Sequence, residues 1–304
     1  MDARLSELLE DVTSDRTSGA AQVTRKAAAL IAGWIEMEPD PLPRNFCELG
    51  RAAIKGQPSM APVINLINDA LLELENAEQS HRNYRESLLR FVDGFTDRQH
   101  ESISQTVNAA LSLIHPGDRI ATHSYSSTVR DLILEAKKQG IEFELVLTEG
   151  RPNLESRTLA KELGDAGVEV EFMTDMGLFA VLDEVKTVFV GADAVTRKLL
   201  INKAGTCAVA ARCRQLGIPC YSLMTSEKLL APGLEPLFSI VEHSPAEVWA
   251  SAPESVKVRN IYFDQTPLDA LTGLACEQGL LRPAQIEALI EARETSRLLA
   301  GSSD

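Results

Sequence analysis

The stretch Val188-Phe-Val-Gly-Ala-Asp193-Ala-Val, followed by Leu200-Ile-Asn202-Lys203-Ala-Gly205-Thr206, decides how the rest of the chain is read. An apolar run ends in a glycine, a small residue and an acid. An amide, a cation and a Gly-Thr pair then open a helix-like segment. That order predicts a carboxylate at the carboxyl end of a buried strand and anion-binding groups at the next helix N-terminus. In an open parallel α/β sheet, ligands bind at that edge. The arrangement suits a small phosphorylated ligand with one reactive or hydrogen-bonded centre.

Working outward, short apolar runs alternate with helical patterns from Pro116-Gly-Asp118 onward. Strands are expected at 120–124, 143–148, 168–173, 187–190 and 219–224, and helices at 127–139, 154–166, 178–185 and 204–216. Gly140, Gly167 and Gly217 stand where helix C-caps belong. Strands separated by helices of this length imply right-handed βαβ crossovers and a parallel sheet. Upstream the spacing is helical. Val23, Ala27, Leu30, Ile31 and Trp34 mark one face over 20–36, and similar faces run over 60–75, 80–93 and 102–114. Residues 37–43 read as a loop, and 266–299 as a return to helix. The expected fold class is α/β, with a helical N-terminal domain over 1–115 and a Rossmann-like parallel-sheet domain over 116–304.

Composition narrows the function. A chain of 304 residues has room for one large or two ordinary domains. Its net charge of −14 argues against direct nucleic-acid binding, which needs a basic face. The five cysteines form no CxxC pair, so neither a disulfide framework nor a structural zinc site is expected. GxGxxG is absent, so no nicotinamide or flavin cofactor is expected, and neither a P-loop nor a GxSxG elbow occurs. The N-terminus is polar and amphipathic, and no apolar run approaches the roughly 20 residues of a membrane span. A cytoplasmic protein without membrane attachment is the expectation.

Clusters with chemical potential fall at the expected strand ends. Thr122-His123-Ser124-Tyr125-Ser126-Ser127 offers hydroxyls and amides at a helix start, as an anion site or as ordinary N-caps. Arg151, after the run ending at Thr148, can hold a phosphate bidentately or pair with Glu149 or Glu155. Asp175-Met176-Gly177 forms a third cluster. Asp193 can act as a general acid/base or hold sugar hydroxyls. Burial would raise its pKa, and Lys203 nearby would lower it. Thr266 and Pro267 suit a helix start. His123 lacks a second histidine at ligand spacing, so no metal is proposed.

These clusters, together with Asp15-Arg-Thr-Ser-Gly19-Ala20, Gln57-Pro-Ser-Met60-Ala-Pro62 and Tyr262-Phe-Asp264-Gln-Thr-Pro267, resemble one family over nearly the whole chain. It contains the alpha, beta and delta subunits of translation initiation factor 2B, methylthioribose-1-phosphate isomerase and ribose-1,5-bisphosphate isomerase. The resemblance implies a homodimer built on the Rossmann-like domain. It also implies a pocket for a sugar phosphate or nucleoside monophosphate between the domains. Gly19, Ala20, Arg151, Asp193, Asn202 and Lys203 match family pocket residues. In the isomerases, the acid matching Asp193 pairs with a cysteine in a Thr-His-Cys motif to interconvert aldose and ketose.

This chain has Ser124 at the cysteine's position, and a serine hydroxyl is a far poorer proton donor than a thiol. Ser18 stands where the isomerases have an arginine before Gly-Ala, so a phosphate-binding arginine is missing unless Arg16 reaches in. Arg197-Lys198 stands where many members have an Asp-Gly turn. Two functions follow. One is a regulatory or sensor protein of the initiation-factor type, with related subunits as partners; Ser124 favours it. The other is a sugar-phosphate isomerase with Asp193 as acid/base and Ser124 as its hydrogen-bonding partner; intact Asp193, Asn202 and Lys203 favour it.

Overall fold

The helical periodicity of the first third becomes six helices in the computed structural model, which describes residues 2–15, 19–38 and 41–300. They are α1 (Ala3–Thr13), α2 (Ala20–Met37), α3 (Pro43–Gly56), α4 (Ala61–Gln79), α5 (Tyr84–Val92) and α6 (Phe95–Leu111). Local chemistry sets their starts. Asp2 accepts the Arg4 N–H at 2.9 Å, Asn83 accepts the Glu86 N–H at 3.1 Å, and Pro43 and Pro62 sit in first turns, where no N–H is needed. Helices α1 and α3 are additions to the sequence reading. The loop expected at 37–43 gives way at Pro43 to an apolar face of Phe46, Leu49, Ala53 and Ile54. Trp34 and Phe46 pack with ring centroids 5.1 Å apart, in a core with Leu30, Ile31, Ile64, Ile67 and Leu71.

The remaining elements are β1 (Asp118–Thr122), α7 (Ser127–Lys138), β2 (Phe143–Thr148), α8 (Ser156–Asp165), β3 (Val170–Met173), α9 (Leu178–Val181), β4 (Thr187–Val190), β5 (Ala194–Val195), β6 (Leu199–Lys203), α10 (Thr206–Leu216), β7 (Cys220–Leu223), α11 (Ala246–Trp249), β8 (Phe263–Pro267), β9 (Gly273–Cys276), β10 (Gly279–Leu281), α12 (Pro283–Glu291) and α13 (Arg297–Ala300). The main sheet runs in the order β10-β9-β7-β4-β1-β2-β3. It is parallel except for β10, which pairs antiparallel with β9. Ile120 is in register with Leu145 on one side and Thr187 on the other, so β1 and β4 lie side by side at the centre. The chain proceeds from β1 outward through β2 and β3, then returns to β4 and continues the other way. That reversal makes the carboxyl ends of β1 and β4 the topological switch point. Helix α6 packs on this sheet, with Val107 and Ala110 in a core with Ile120, Leu132, Leu145 and Phe189.

A second, antiparallel sheet runs β5-β6-β8. It corrects two expectations. Thr266 and Pro267 do not start an α-helix; Pro267 leads only into a three-residue 3-10 turn, Leu268–Ala270. They end β8, where Leu200 is in register with Thr266 and Lys203 with Phe263. The stretch 266–299 is not purely helical either. It contains β9 and β10, joined by Glu277-Gln278, with Gly279 at φ +109°. In both places strand pairing satisfies backbone groups that the local pattern had assigned to a helix. Ala194 and Ile201 of this sheet, with Leu230 and Leu234, enter the helical region's core. The helical and sheet-containing parts therefore share buried surface.

Candidate functional site

At the switch point β1 delivers Thr122-His123-Ser124 and β4 delivers Gly191-Ala192-Asp193. Gly191 allows a close approach. A Cβ there would lie 2.9 Å from the Ser126 side chain, and the Gly191 carbonyl accepts the Ser222 hydroxyl at 3.1 Å. His123 is buried among structural partners. Its Nδ1 lies 2.8 Å from Thr148 Oγ1 and its Nε2 3.0 Å from the Ala204 carbonyl. The carbonyl can only accept, so Nε2 carries a proton, while Nδ1 faces Thr148 with Asp175 Oδ1 3.7 Å away. Ser126 performs the capping role, accepting the Val129 N–H of α7. Ser124, at φ +71°, adopts a left-handed conformation uncommon for serine.

Ser124 donates to Glu155 Oε1 at 2.7 Å, and the Lys203 ammonium lies 2.7 Å from the same oxygen. All three residues line one cavity. The Lys203 ammonium also sits 4.7 Å from the centre of the Tyr262 ring, a cation–π contact. The Tyr262 hydroxyl donates to Glu247. Burial, aided by Glu247, pushes the Tyr262 hydroxyl well above its usual pKa. Asn202 donates to Thr206 Oγ1 at 3.0 Å.

Asp193 is half-buried at the cavity wall, and its backbone N–H donates to the Ile201 carbonyl. Burial raises its carboxyl above the ordinary aspartate range. Lys228 and Lys203 oppose this, and Glu155 adds to it. Burial conversely lowers the Lys228 ammonium, against support from Asp193 and Glu227. A carboxyl poised upward in this way can hold or release a proton nearer neutrality.

The N-terminus of α10 is not an open anion site. Asp264, from β8, accepts the backbone N–H groups of Gly205 at 2.7 Å and Cys207 at 3.1 Å. An internal carboxylate has taken the place expected for a ligand, because β6–β8 pairing brings Asp264 opposite Asn202. Thr206 bonds back to the Lys203 carbonyl at 2.6 Å.

The cavity has a volume of about 930 Å³ and is walled by both parts of the chain. Gly19, Ala20, Ser124, Asp193, Asn202 and Lys203 line it together. Arg151 does not. Its side chain is exposed, and its backbone N–H, like that of Gly150, donates to Asp175 at 2.8 and 2.9 Å. Asp175 thus serves the turn after β2. Arg16 and Ser18 lie outside the described residues. Sequence reasoning missed Glu155 as a site residue, having seen it only as a partner for Arg151. It also missed Lys228, a lone cation beside Leu229-Leu230 with no motif around it, and His243, which stacks on Tyr262 at 3.7 Å and lines the cavity.

Comparison with known proteins agrees with this architecture. The chain is 32% identical over 284 residues to a translation initiation factor eIF-2B subunit 2-like protein of Pyrococcus furiosus, covering 92% of this chain and 97% of that one. It is 26% identical over 295 residues to the ribose 1,5-bisphosphate isomerase of Methanocaldococcus jannaschii, covering 94% of each. The crystal structure of the translation initiation factor eIF-2B of Pyrococcus horikoshii superposes with a TM-score of 0.80 at 30% identity, covering 94% of this chain and 99% of that one. With residues 16–283 also matching the model of the Initiation factor 2 subunit family, the chain belongs to that family.

Proposed function

We propose that this protein binds a sugar phosphate or nucleoside monophosphate in the cavity between its helical and sheet-containing parts, and acts as a regulatory or sensor protein rather than an isomerase. One observation carries the reading. Ser124, at the position where the isomerases carry a thiol, is tied to Glu155 Oε1, and that oxygen also holds Lys203. No cysteine lines the cavity among the described residues. The reactive partner for Asp193 is thus replaced by a hydroxyl whose proton is already engaged. Gly19, Ala20, Asn202 and Lys203 are the proposed ligand contacts. Arg151, exposed beside the turn, is not carried among them.

The same reading places the protein in the cytoplasm as a homodimer, with related initiation-factor subunits as further partners. A thermal-shift panel of sugar phosphates and nucleoside monophosphates tests it, with stabilisation by at least one ligand expected. NMR with methylthioribose-1-phosphate and ribose-1,5-bisphosphate tests turnover. Efficient ketose formation, lost in Asp193→Asn, would overturn the sensor role. The isomerase reading is favoured by the raised pKa of Asp193 beside Lys203. Activity gained by Ser124→Cys would support that reading as an ancestral trace.

A further inference from the structure

A second, smaller cavity opens where α2, α4 and the start of α6 meet the turn after β7. Its volume is about 170 Å³, and it shares no lining residue with the larger one. That is below the roughly 300–1,000 Å³ of a site for drug-sized ligands, so only a small molecule fits.

Acceptors dominate its polar lining. Asn65 is 2% exposed, and its Nδ2 donates to the Glu227 carbonyl at 2.6 Å and to the Leu229 carbonyl at 2.9 Å. Both amide hydrogens are thereby used, which fixes the orientation of the amide. Asn65 Oδ1 is buried with no hydrogen-bond partner among the described residues. That oxygen is the side-chain atom Asn65 has left to offer the cavity it lines. A buried acceptor left unmet costs about 1–3 kcal/mol. Two carboxylates join it. Glu227 belongs to the turn that Asn65 holds, and Asp69 follows Asn65 one turn later on the same face of α4.

Burial raises the Glu227 carboxyl against the pull of Gln99, Lys228 and Arg25, with Glu277 adding to the rise. Burial also raises that of Asp69 against Arg293 and Asn68. Further positive charge beside the two is therefore favourable. Arg98, the lining cation, is turned elsewhere, with its terminal nitrogens donating to the Asp93 and Phe91 carbonyls. Phe91 and Phe95 give the cavity an aromatic side, which suits both hydrocarbon and a cation. An ammonium group brings three donors and no acceptor, which matches this lining.

We infer that this cavity binds a small primary alkylammonium ion, its nitrogen donating to Asn65 Oδ1 and Glu227 within the field of Asp69, and its hydrocarbon lying against Phe91 and Phe95. The site is independent of the sugar-phosphate reading, and either stands without the other.

Titration calorimetry on the full chain at fixed ionic strength tests it, with 1-aminobutane hydrochloride as the probe and 1-butanol as its uncharged counterpart. The wild type binds the amine saturably and at least about tenfold more tightly than the alcohol. Glu227→Gln keeps the shape of the side chain and removes its charge, and it weakens the amine about tenfold. Asp69→Asn weakens it less. Both variants are checked for folding by melting without ligand. Absence of saturable amine binding overturns the inference, and so does alcohol bound as tightly as the amine. Amine affinity unchanged in both folded variants overturns it too, since the amine then binds elsewhere. If neither variant folds, a crystal structure of the wild type with the amine decides. An amine seated against Phe91 and Phe95 upholds the inference, and one seated among the carboxylates of the larger cavity overturns it.

Discussion

Asp264 Oδ2 accepts the backbone N–H of Gly205 at 2.7 Å, so a carboxylate on β8 closes the N-terminus of α10 from outside the helix. The bond links the small antiparallel sheet to the helix that follows Lys203. Asp264→Ala removes the acceptor for both Gly205 and Cys207. The expected loss is about 0.5–2 kcal/mol, the usual range for an N-cap. Asp264→Asn keeps one acceptor oxygen but loses the charge–dipole attraction, and is expected to lose less. Urea midpoints of the two variants check this. Equal stability of Asp264→Ala and wild type would show that solvent satisfies those amides as well.

Gly205 also explains why His123 stays where it is. Its φ of +110° is a glycine conformation, and a Cβ there would stand 2.9 Å from His123 Nε2. Gly205→Ala must therefore strain the backbone and push the imidazole off the Ala204 carbonyl. A cost of about 1–3 kcal/mol is expected. The His123 ring resonances in an NMR spectrum should move with it. An alanine variant with unchanged stability and unchanged ring shifts would contradict the packing described for this turn.

How much of this was legible beforehand depends on where each residue's partner lies. The strands 143–148 and 187–190 were read to the residue, because β2 and β4 are apolar runs bounded by polar turns. The place of Asp193 just beyond a strand end is legible for the same reason, since it follows such a run. Glu155 was not found. Its significance comes from Lys203 and Ser124, distant in sequence, and adjacent only once β1, β6 and the α8 entry converge. Lys228 is similar, a cation whose meaning lies in the field of Asp193. The β8 strand was misread because its hydrogen bonds are made to β6, and local turn chemistry at Thr266-Pro267 suggested a cap instead.

Phe46 tests whether the two parts of the chain unfold together. It is fully buried against Trp34, in the core that also holds Ala194, Ile201 and Leu234. Phe46→Ala removes a ring and leaves a cavity, with an expected cost of about 3–5 kcal/mol. Because the core is shared, one cooperative transition should shift to lower denaturant, seen alike by far-ultraviolet circular dichroism and tryptophan fluorescence. Two separated transitions, with only one displaced, would show that the sheet-containing part stands alone.

Asp193 should oppose stability at neutral pH. Burial raises its carboxyl above the ordinary value of 3.8, even after the pull of Lys228 and Lys203. Between 3.8 and the raised value, the unfolded chain has released this proton and the native protein retains it. The native state binds more protons across that window, so its stability falls as pH rises through it. Below the window the group is protonated in both states and has no effect. Above it the penalty is constant. Asp193→Asn carries no such penalty, so its advantage over wild type should be absent near pH ~3, grow through the window and then level off. Urea midpoints of both proteins from acid to neutral pH measure the difference directly. A difference independent of pH would mean that burial and the lysines cancel at Asp193, and an asparagine variant that loses ground to wild type as pH rises would mean that the lysines hold Asp193 ionised at a net gain. In the second case Asp193 would form a structural ion pair with Lys203, and in either case it would lack the raised proton affinity that links this site to isomerase chemistry.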